Sequence, residues 1–225
     1  MLLWSRATVR TGIAGDASSS SGAPVSEPPV PPASSRSALR HILFRRRAAF
    51  SGAARVAAVQ RIAQQLARQP WLRPGAAIAL YVSRGPEVDT GPLRRLASRR
   101  GCRVFLPRIT DYRAHRMLLV ADHGAALRRN RYRIDEPAGA AGIAPQALAV
   151  VLLPLVGFDA AGNRLGNGAG YYDRYLAARR GRAGGPLLIG IAFECQRCAT
   201  IDAAPHDVPL EAVVTENGTQ YFRHR

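Results

Sequence analysis

A cation, three alternating glycines and a carboxylate fall within one short stretch, Arg164-Leu165-Gly166-Asn167-Gly168-Ala169-Gly170-Tyr171-Tyr172-Asp173. Gly166, Gly168 and Gly170 let the backbone turn sharply and come close to a ligand, so that successive N–H groups form an anion-binding concavity. Arg164 adds a fixed positive charge before the loop. Asp173 lies in the first turn of the helix expected to follow, where its carboxylate either offsets the helix dipole or holds Mg2+. That cation favours one or two carboxylates plus phosphate oxygens. The chemistry such a stretch suits is the binding of a nucleotide's phosphates with a metal. A GxGxG pattern alone is a weak signal, because glycines also make ordinary turns.

The loop has to be positioned by regular elements. The apolar run Ala149–Pro154 reads as a buried strand feeding the turn Leu155-Val156-Gly157-Phe158-Asp159, and Tyr171–Arg180 as the helix after the loop. Upstream, Ser34-Ser35 offers an N-cap to a helix beginning near Arg36, with Leu39, Ile42, Leu43 and Phe50 as its apolar stripe. Arg36 and Arg40 are four apart and share a face near its start. Val56, Val59, Ile62, Ala63 and Leu66 predict a second helix, stopped by Pro70. Beyond it, Ala77–Val82 is a strand ending in the loop Ser83–Thr90. A helix then carries Leu93, Leu96 and Ala97 and stops at Gly101. Arg103–Pro107 and Arg116–Val120 form a hairpin-like pair, with later strands at Leu187–Phe193 and Ala212–Thr215. Strands separated by helices argue for a single α/β domain over 36–225, with a mostly parallel sheet flanked by helices and ligands at the strand C-terminal ends. Residues 1–35, with Ser18–Ser21 and Pro24, Pro28, Pro29, Pro31 and Pro32, read as a disordered arm.

Composition narrows the chemistry. The chain has 225 residues, 47% of them hydrophobic, with a formal charge of +17. All 32 basic residues are arginine. The absence of lysine excludes a Schiff base and a Walker-type phosphate lysine, so any cationic ligand is arginine or protonated histidine. The excess of arginine, beside so much alanine, glycine and proline, is weak evidence for nucleic acid. Arg45–Arg47 and Arg128, Arg129, Arg131 and Arg133 read as a solvated face without interleaved aromatics, and no specific nucleic-acid binding is expected. No run reaches the ~18 apolar residues of a membrane span. Cys195-Gln196-Arg197-Cys198 has the spacing of redox and zinc sites, but reads as ordinary reduced cysteines of a cytoplasmic protein.

The central decapeptide, preceded by a P-x-x-x-F-D turn, resembles the signature of the 5-formyltetrahydrofolate cyclo-ligases. So do Arg36-Ser37-Ala38-Leu39-Arg40, the segment Tyr81–Thr90 with Glu87, Val88 and Thr90, Leu106-Pro107-Arg108 with Met117, Tyr132-x-Ile134-x-Glu136-Pro137, and Pro205-His206-Asp207-Val208-Pro209-Leu210. These occur in the family's order over roughly Arg36 to Phe222. The resemblance implies an α/β fold like that of sugar-phosphate isomerases and CoA transferases. It also implies an ATP- and Mg2+-dependent conversion of 5-formyltetrahydrofolate, polyglutamylated forms included, to 5,10-methenyltetrahydrofolate, by a monomer. By that resemblance Arg164, Tyr172 and Asp173 serve the reaction. ATP is held by Arg36, Ser37, Ala38, Leu39, Arg40, Arg164, Leu165, Gly166, Asn167, Gly168, Ala169, Gly170, Tyr171 and Tyr172. Folate is held by Arg40, Val82, Glu87, Tyr132, Asn167 and Tyr171, and the metal by Asp173 and Asp207. Tyr132 stacks on the pterin, closes the pocket or is a core tyrosine. Three positions depart from the family's pattern: Arg36 stands where lysine is common, Asn167 where an aromatic or basic residue is common, and Ala169 where glycine or lysine is common.

Overall fold

Successive residues of the strand before the glycine loop face opposite cores. The structure is a computed structural model that describes residues 35–124, 126–177 and 185–222. In it Val150 and Leu152 pack into one apolar cluster, while Val151 and Leu153 pack into another. Strand side chains alternate between faces, so a strand apolar at every position must be covered on both. That requirement places helices on each side of the sheet. The disordered arm expected for residues 1–35 lies, up to residue 34, outside the described residues, as do residues 178–180 of the helix expected after the loop. Ser35 belongs to the fold, because its Oγ accepts from the Ala38 N–H and caps the first helix.

The elements follow the expected order. Two helices, α1 (Arg36–Ala49) and α2 (Gly52–Ala67), precede β1 (Ala77–Ala79), α3 (Gly91–Arg99), β2 (Arg103–Asp111) and β3 (Arg116–Ala121). Two short pairs come next in the chain, β4 (Arg128–Arg129) with β5 (Asp135–Glu136), and, after β6 (Val150–Pro154), β7 (Gly157–Phe158) with β8 (Arg164–Leu165). The glycine loop leads into α4 (Tyr171–Leu176), and β9 (Leu187–Ile191), β10 (Ala212–Thr215) and β11 (Gly218–Tyr221) complete the described chain. The seven-stranded sheet has the order β11-β10-β9-β6-β1-β2-β3. Its inner pairs are parallel, and β3 and β11 join antiparallel at the two edges. The sheet is therefore mostly parallel, with β2 and β3 in the hairpin expected of them.

The ladder of β1 is shorter than the apolar run Ala77–Val82 suggested. The Leu80 N–H still donates to Phe105 O at 2.9 Å, and beyond it the chain leaves the ladder where the loop behind it folds back. Thr90 Oγ1 donates to Tyr81 O at 2.7 Å, and Tyr81 Oη donates to Val88 O at 2.9 Å. This turns Tyr81 and Val82 out of the sheet. From β1 the chain runs to β2 on one side and later returns to β6 on the other, so a crevice opens at the C-terminal ends of β1 and β6, where the direction of winding switches.

Helices α2 and α3 cover one face through Ala58, Ile62, Leu66, Leu93 and Ala97. Leu176 of α4 packs on the other. Helix α1 lies off the sheet in a third cluster, where Leu39 and Leu43 meet Val156, Leu165, Cys198 and Ile201. Arg47 continues that stripe at the i+4 position and is only 2% exposed, against the solvated face expected for Arg45–Arg47. Its Nη1 donates to Leu155 O at 3.1 Å, and its guanidinium lies over the Phe44 ring.

Asp159, the acid of the turn before the glycine loop, is buried. Its two carboxylate oxygens accept from the Ala161, Asn163 and Ile201 N–H groups and from Asn163 Nδ2, each at 2.9 Å. One side chain thus closes the β7–β8 turn and ties it to the segment after Cys198. Replacing it, Asp159→Ala, leaves one buried and three part-buried donor bonds unmade and is expected to cost about 3 kcal/mol. The check is a lower urea midpoint at an unchanged m-value; a midpoint equal to that of the unsubstituted protein contradicts the assignment.

Candidate active site

A cavity of about 600 Å3 occupies the crevice at the ends of β1 and β6. That volume suits a small-molecule site. It gathers side chains distant in sequence: Arg36 and Arg40 from α1, Val82 and Glu87 after β1, the loop Gly166–Gly170, Tyr171, Tyr172 and Asp173 at the start of α4, and Asp207. Arg164 and Tyr132 also border it. Of the residues assigned by resemblance, Ser37, Ala38, Leu39 and Leu165 do not line it. Leu39 and Leu165 are buried in the third apolar cluster and anchor α1 against β8, and Ser37 is exposed.

The glycine loop is held at both ends. Arg164 Nη2 and Asp173 Oδ1 form a hydrogen-bonded ion pair across it, and Arg164 Nε donates to Val208 O at 3.3 Å. The Arg164 side chain is 5% exposed and that of Asp173 19%. Between these ends the backbone takes φ of 97° at Gly168 and 68° at Gly170, in the left-handed region that glycine occupies without strain. A Cβ at Gly168 would lie 3.7 Å from the Arg40 guanidinium carbon, so the arginine sits directly against the loop. Arg40 Nε donates to Gly166 O at 2.9 Å. Burial, then the neighbouring Arg36, lower the Arg40 pKa from the ordinary arginine value. Two cations side by side in a half-buried wall favour an anion between them.

On the opposite wall, Glu87 Oε2 accepts from the Arg84 N–H at 2.9 Å and Oε1 from Asn167 Nδ2 at 3.4 Å. The contact joins the glycine loop to the segment after β1. The apolar wall comes from Val82, Ile109, Met117, Ile134 and Tyr132. Tyr132 meets the Tyr112 ring edge-on at 5.2 Å, and Arg131 lies 3.7 Å from the Tyr112 centroid. Tyr132 is therefore a wall residue rather than a core one. The exposed arginine series does have aromatic neighbours, contrary to the expectation from sequence. Ile109, outside every motif, also lines the cavity, as do Arg84 and Ile134, which the motifs contain but to which no site role was assigned.

Arg36 reaches across the mouth, where its Nη1 donates to Asp207 Oδ2 at 2.6 Å and to Asp202 O at 2.5 Å. Asp207 Oδ2 also accepts from the Ala204 N–H, and Oδ1 has the His206 Nε2 at 3.9 Å. Burial acts against the Asp207 carboxylate, but the Arg36 and Ala204 hydrogen bonds outweigh it and hold the carboxyl below its usual range. Among the described residues, Asp173 Oδ2 accepts no hydrogen bond, and both acids border the cavity. No three His, Cys, Asp or Glu side chains converge among the described residues. A divalent cation here would take its other ligands from phosphate oxygens and water, as Mg2+ does.

The Cys195–Cys198 pair lies outside the cavity. Cys198 is buried, with Sγ 3.4 Å from Phe158 O. Burial, reinforced by Asp159, pushes its thiol up to about 12. An unfolded cysteine ionises near ~8.5. Above that value the unfolded chain loses a proton that the folded one keeps, so Cys198 makes stability fall as pH rises. We expect Cys198 to resist iodoacetamide at pH 8 until the protein unfolds, as mapped by mass spectrometry. Native-state labelling as fast as that of a free thiol contradicts the buried geometry.

The family described as 5-formyltetrahydrofolate cyclo-ligase matches residues 32–216. The chain is 35% identical over 159 residues to the 5-formyltetrahydrofolate cyclo-ligase of Escherichia coli K12, covering 69% of this chain and 86% of that one. The solved 5,10-methenyltetrahydrofolate synthetase of Aquifex aeolicus superposes with a TM-score of 0.73 at 28% identity, over 84% of this chain and 94% of that one. The synthetase of Mycoplasma pneumoniae does so with a TM-score of 0.64 at 26% identity, over 80% and 98%.

Proposed function

The chain belongs to the 5-formyltetrahydrofolate cyclo-ligase family, and from that premise we propose that it converts 5-formyltetrahydrofolate to 5,10-methenyltetrahydrofolate with hydrolysis of ATP to ADP and phosphate. The observation that carries the residue-level reading is the convergence, in one cavity, of Arg36, Arg40, the glycine loop and Asp173 with Val82 and Glu87. The first group suits a triphosphate, the second a pterin. No membrane-spanning helix is present among the described residues.

The oxygen of a formamide is a poor leaving group. Transfer of the γ-phosphoryl group onto that oxygen turns it into phosphate, which folate N10 displaces as the ring closes. Phosphoryl transfer asks the protein mainly to position reactants and neutralise charge. Arg36 and Arg40 supply cations at the loop, and the Gly166–Gly170 backbone lets phosphate oxygens approach closely. Glu87 is placed to accept from pterin ring N–H groups, and Val82 with the Tyr132 wall excludes water from the ring. Tyr171 closes the cavity beside the loop. The carboxylates of Asp173 and Asp207 would hold Mg2+, which neutralises phosphate charge when bound.

Mixed with 5-formyltetrahydrofolate, ATP and Mg2+, the protein is expected to generate the near-ultraviolet absorbance of the methenyl product. No product would sink the proposal. Arg40→Ala removes a charged hydrogen-bonding group worth about 1.5–3 kcal/mol. Steady-state assays with each substrate varied should then show kcat/KM about 10- to 100-fold lower. Kinetics unchanged in both substrates would take Arg40 out of the site.

A further inference from the structure

Tyr172 carries a buried hydroxyl with no hydrogen-bond partner among the described residues, in a side chain that borders the cavity. Its ring is packed by the apolar clusters on both faces of the sheet. The oxygen is therefore held in place instead of swinging to water. Buried polar atoms are almost always paired, and an exception calls for a reason. Packing supplies none, since a phenylalanine would make the same apolar contacts.

Position supplies one. Tyr172 lines the cavity together with Glu87 and Arg164. The first borders the proposed folate half of the cavity, and the second the base of the nucleotide loop. The side chain thus borders both halves of the cavity, at whose junction a formyl group and a γ-phosphate must meet. A phenolic O–H is protonated near neutral pH and so can act as a donor.

We propose that the Tyr172 hydroxyl is a catalytic hydrogen-bond donor whose partner is the oxygen passing from the formyl group to phosphate. The proposal rests on the reaction given above. In the first step the formyl oxygen bonds to the γ-phosphorus as the bond to the β-phosphate oxygen breaks, and ADP leaves. In the second, N10 bonds to the formyl carbon and loses its proton to solvent. The carbon–oxygen bond then breaks, and the electron pair departs with the oxygen as phosphate. Negative charge returns to that oxygen in the second step, where a fixed donor stabilises it without giving up its own proton.

The test is Tyr172→Phe, studied by rapid quench in single turnover and by thermal melting without ligands. Methenyl formation is expected to slow by about 100-fold, the effect typical of losing one preorganised donor. ADP formation should slow much less. The unliganded Tm should equal or exceed that of the unsubstituted protein, because the oxygen removed had no partner. Methenyl formation within threefold of the original, or a lowered Tm, would overturn the proposal by making the hydroxyl idle or structural. Equal slowing of ADP and methenyl formation would overturn its placement at carbon–oxygen cleavage. Absence of methenyl product from the unsubstituted protein would instead remove the reaction itself, whatever the variant does.

Discussion

The ion pair between Arg164 and Asp173 sets the span of the glycine loop, and the cavity depends on that span. Taking two charges out of water costs several kcal/mol per ion, recovered only when the geometry and the remaining hydrogen bonds are good. Here the pair is short, and Arg164 also donates to Val208 O, so three segments meet at one guanidinium. Arg164 begins at the β7–β8 turn, which Asp159 closes from within. Fixed at both ends, the chain between them has to bend within a few residues, and the positive φ values at Gly168 and Gly170 accommodate the bend.

A second constraint acts on α1. The sheet is held by apolar alternation, whereas α1 combines a small apolar cluster with three arginines that donate to backbone carbonyls: Arg36 to Asp202 O, Arg40 to Gly166 O and Arg47 to Leu155 O. Arginine's planar fork can grip a carbonyl with one nitrogen and leave others for a ligand. At Arg36 and Arg40 the side chains that dock the helix also border the cavity. Anchorage and ligand recognition are thus carried by the same groups.

Much of this was legible from residue pattern. The run AVVLLP, apolar at every position, specified a strand covered on both faces, and the four-residue spacing of Arg36 and Arg40 put both on one wall. The fate of Arg47 was not legible. Its place on the Leu39–Leu43 stripe signalled burial, but its charge signalled solvent, and only the position of the Leu155 carbonyl decides between them. Nor did the sequence separate Leu39 and Leu165, which anchor, from their neighbours that line the cavity. Motif membership records adjacency along the chain, while lining depends on the direction in which each side chain points. Ile109 escaped notice for a related reason, since an isolated apolar residue carries no spacing signal.

The contacts of α1 also bear on how the chain acquires its shape during synthesis. Arg47 meets a partner 108 residues later, Arg40 one 126 later, and Arg36 one 171 later. A chain leaving the ribosome N-terminus first exposes this helix well before its partners exist, and translation proceeds at only about 5–20 residues per second. Helix α1 therefore waits for many seconds with its apolar stripe uncovered. Its full set of contacts can form only after Asp207 has emerged. The cavity walls close in that last event, so a nascent chain that already has most of its sheet still lacks a ligand site.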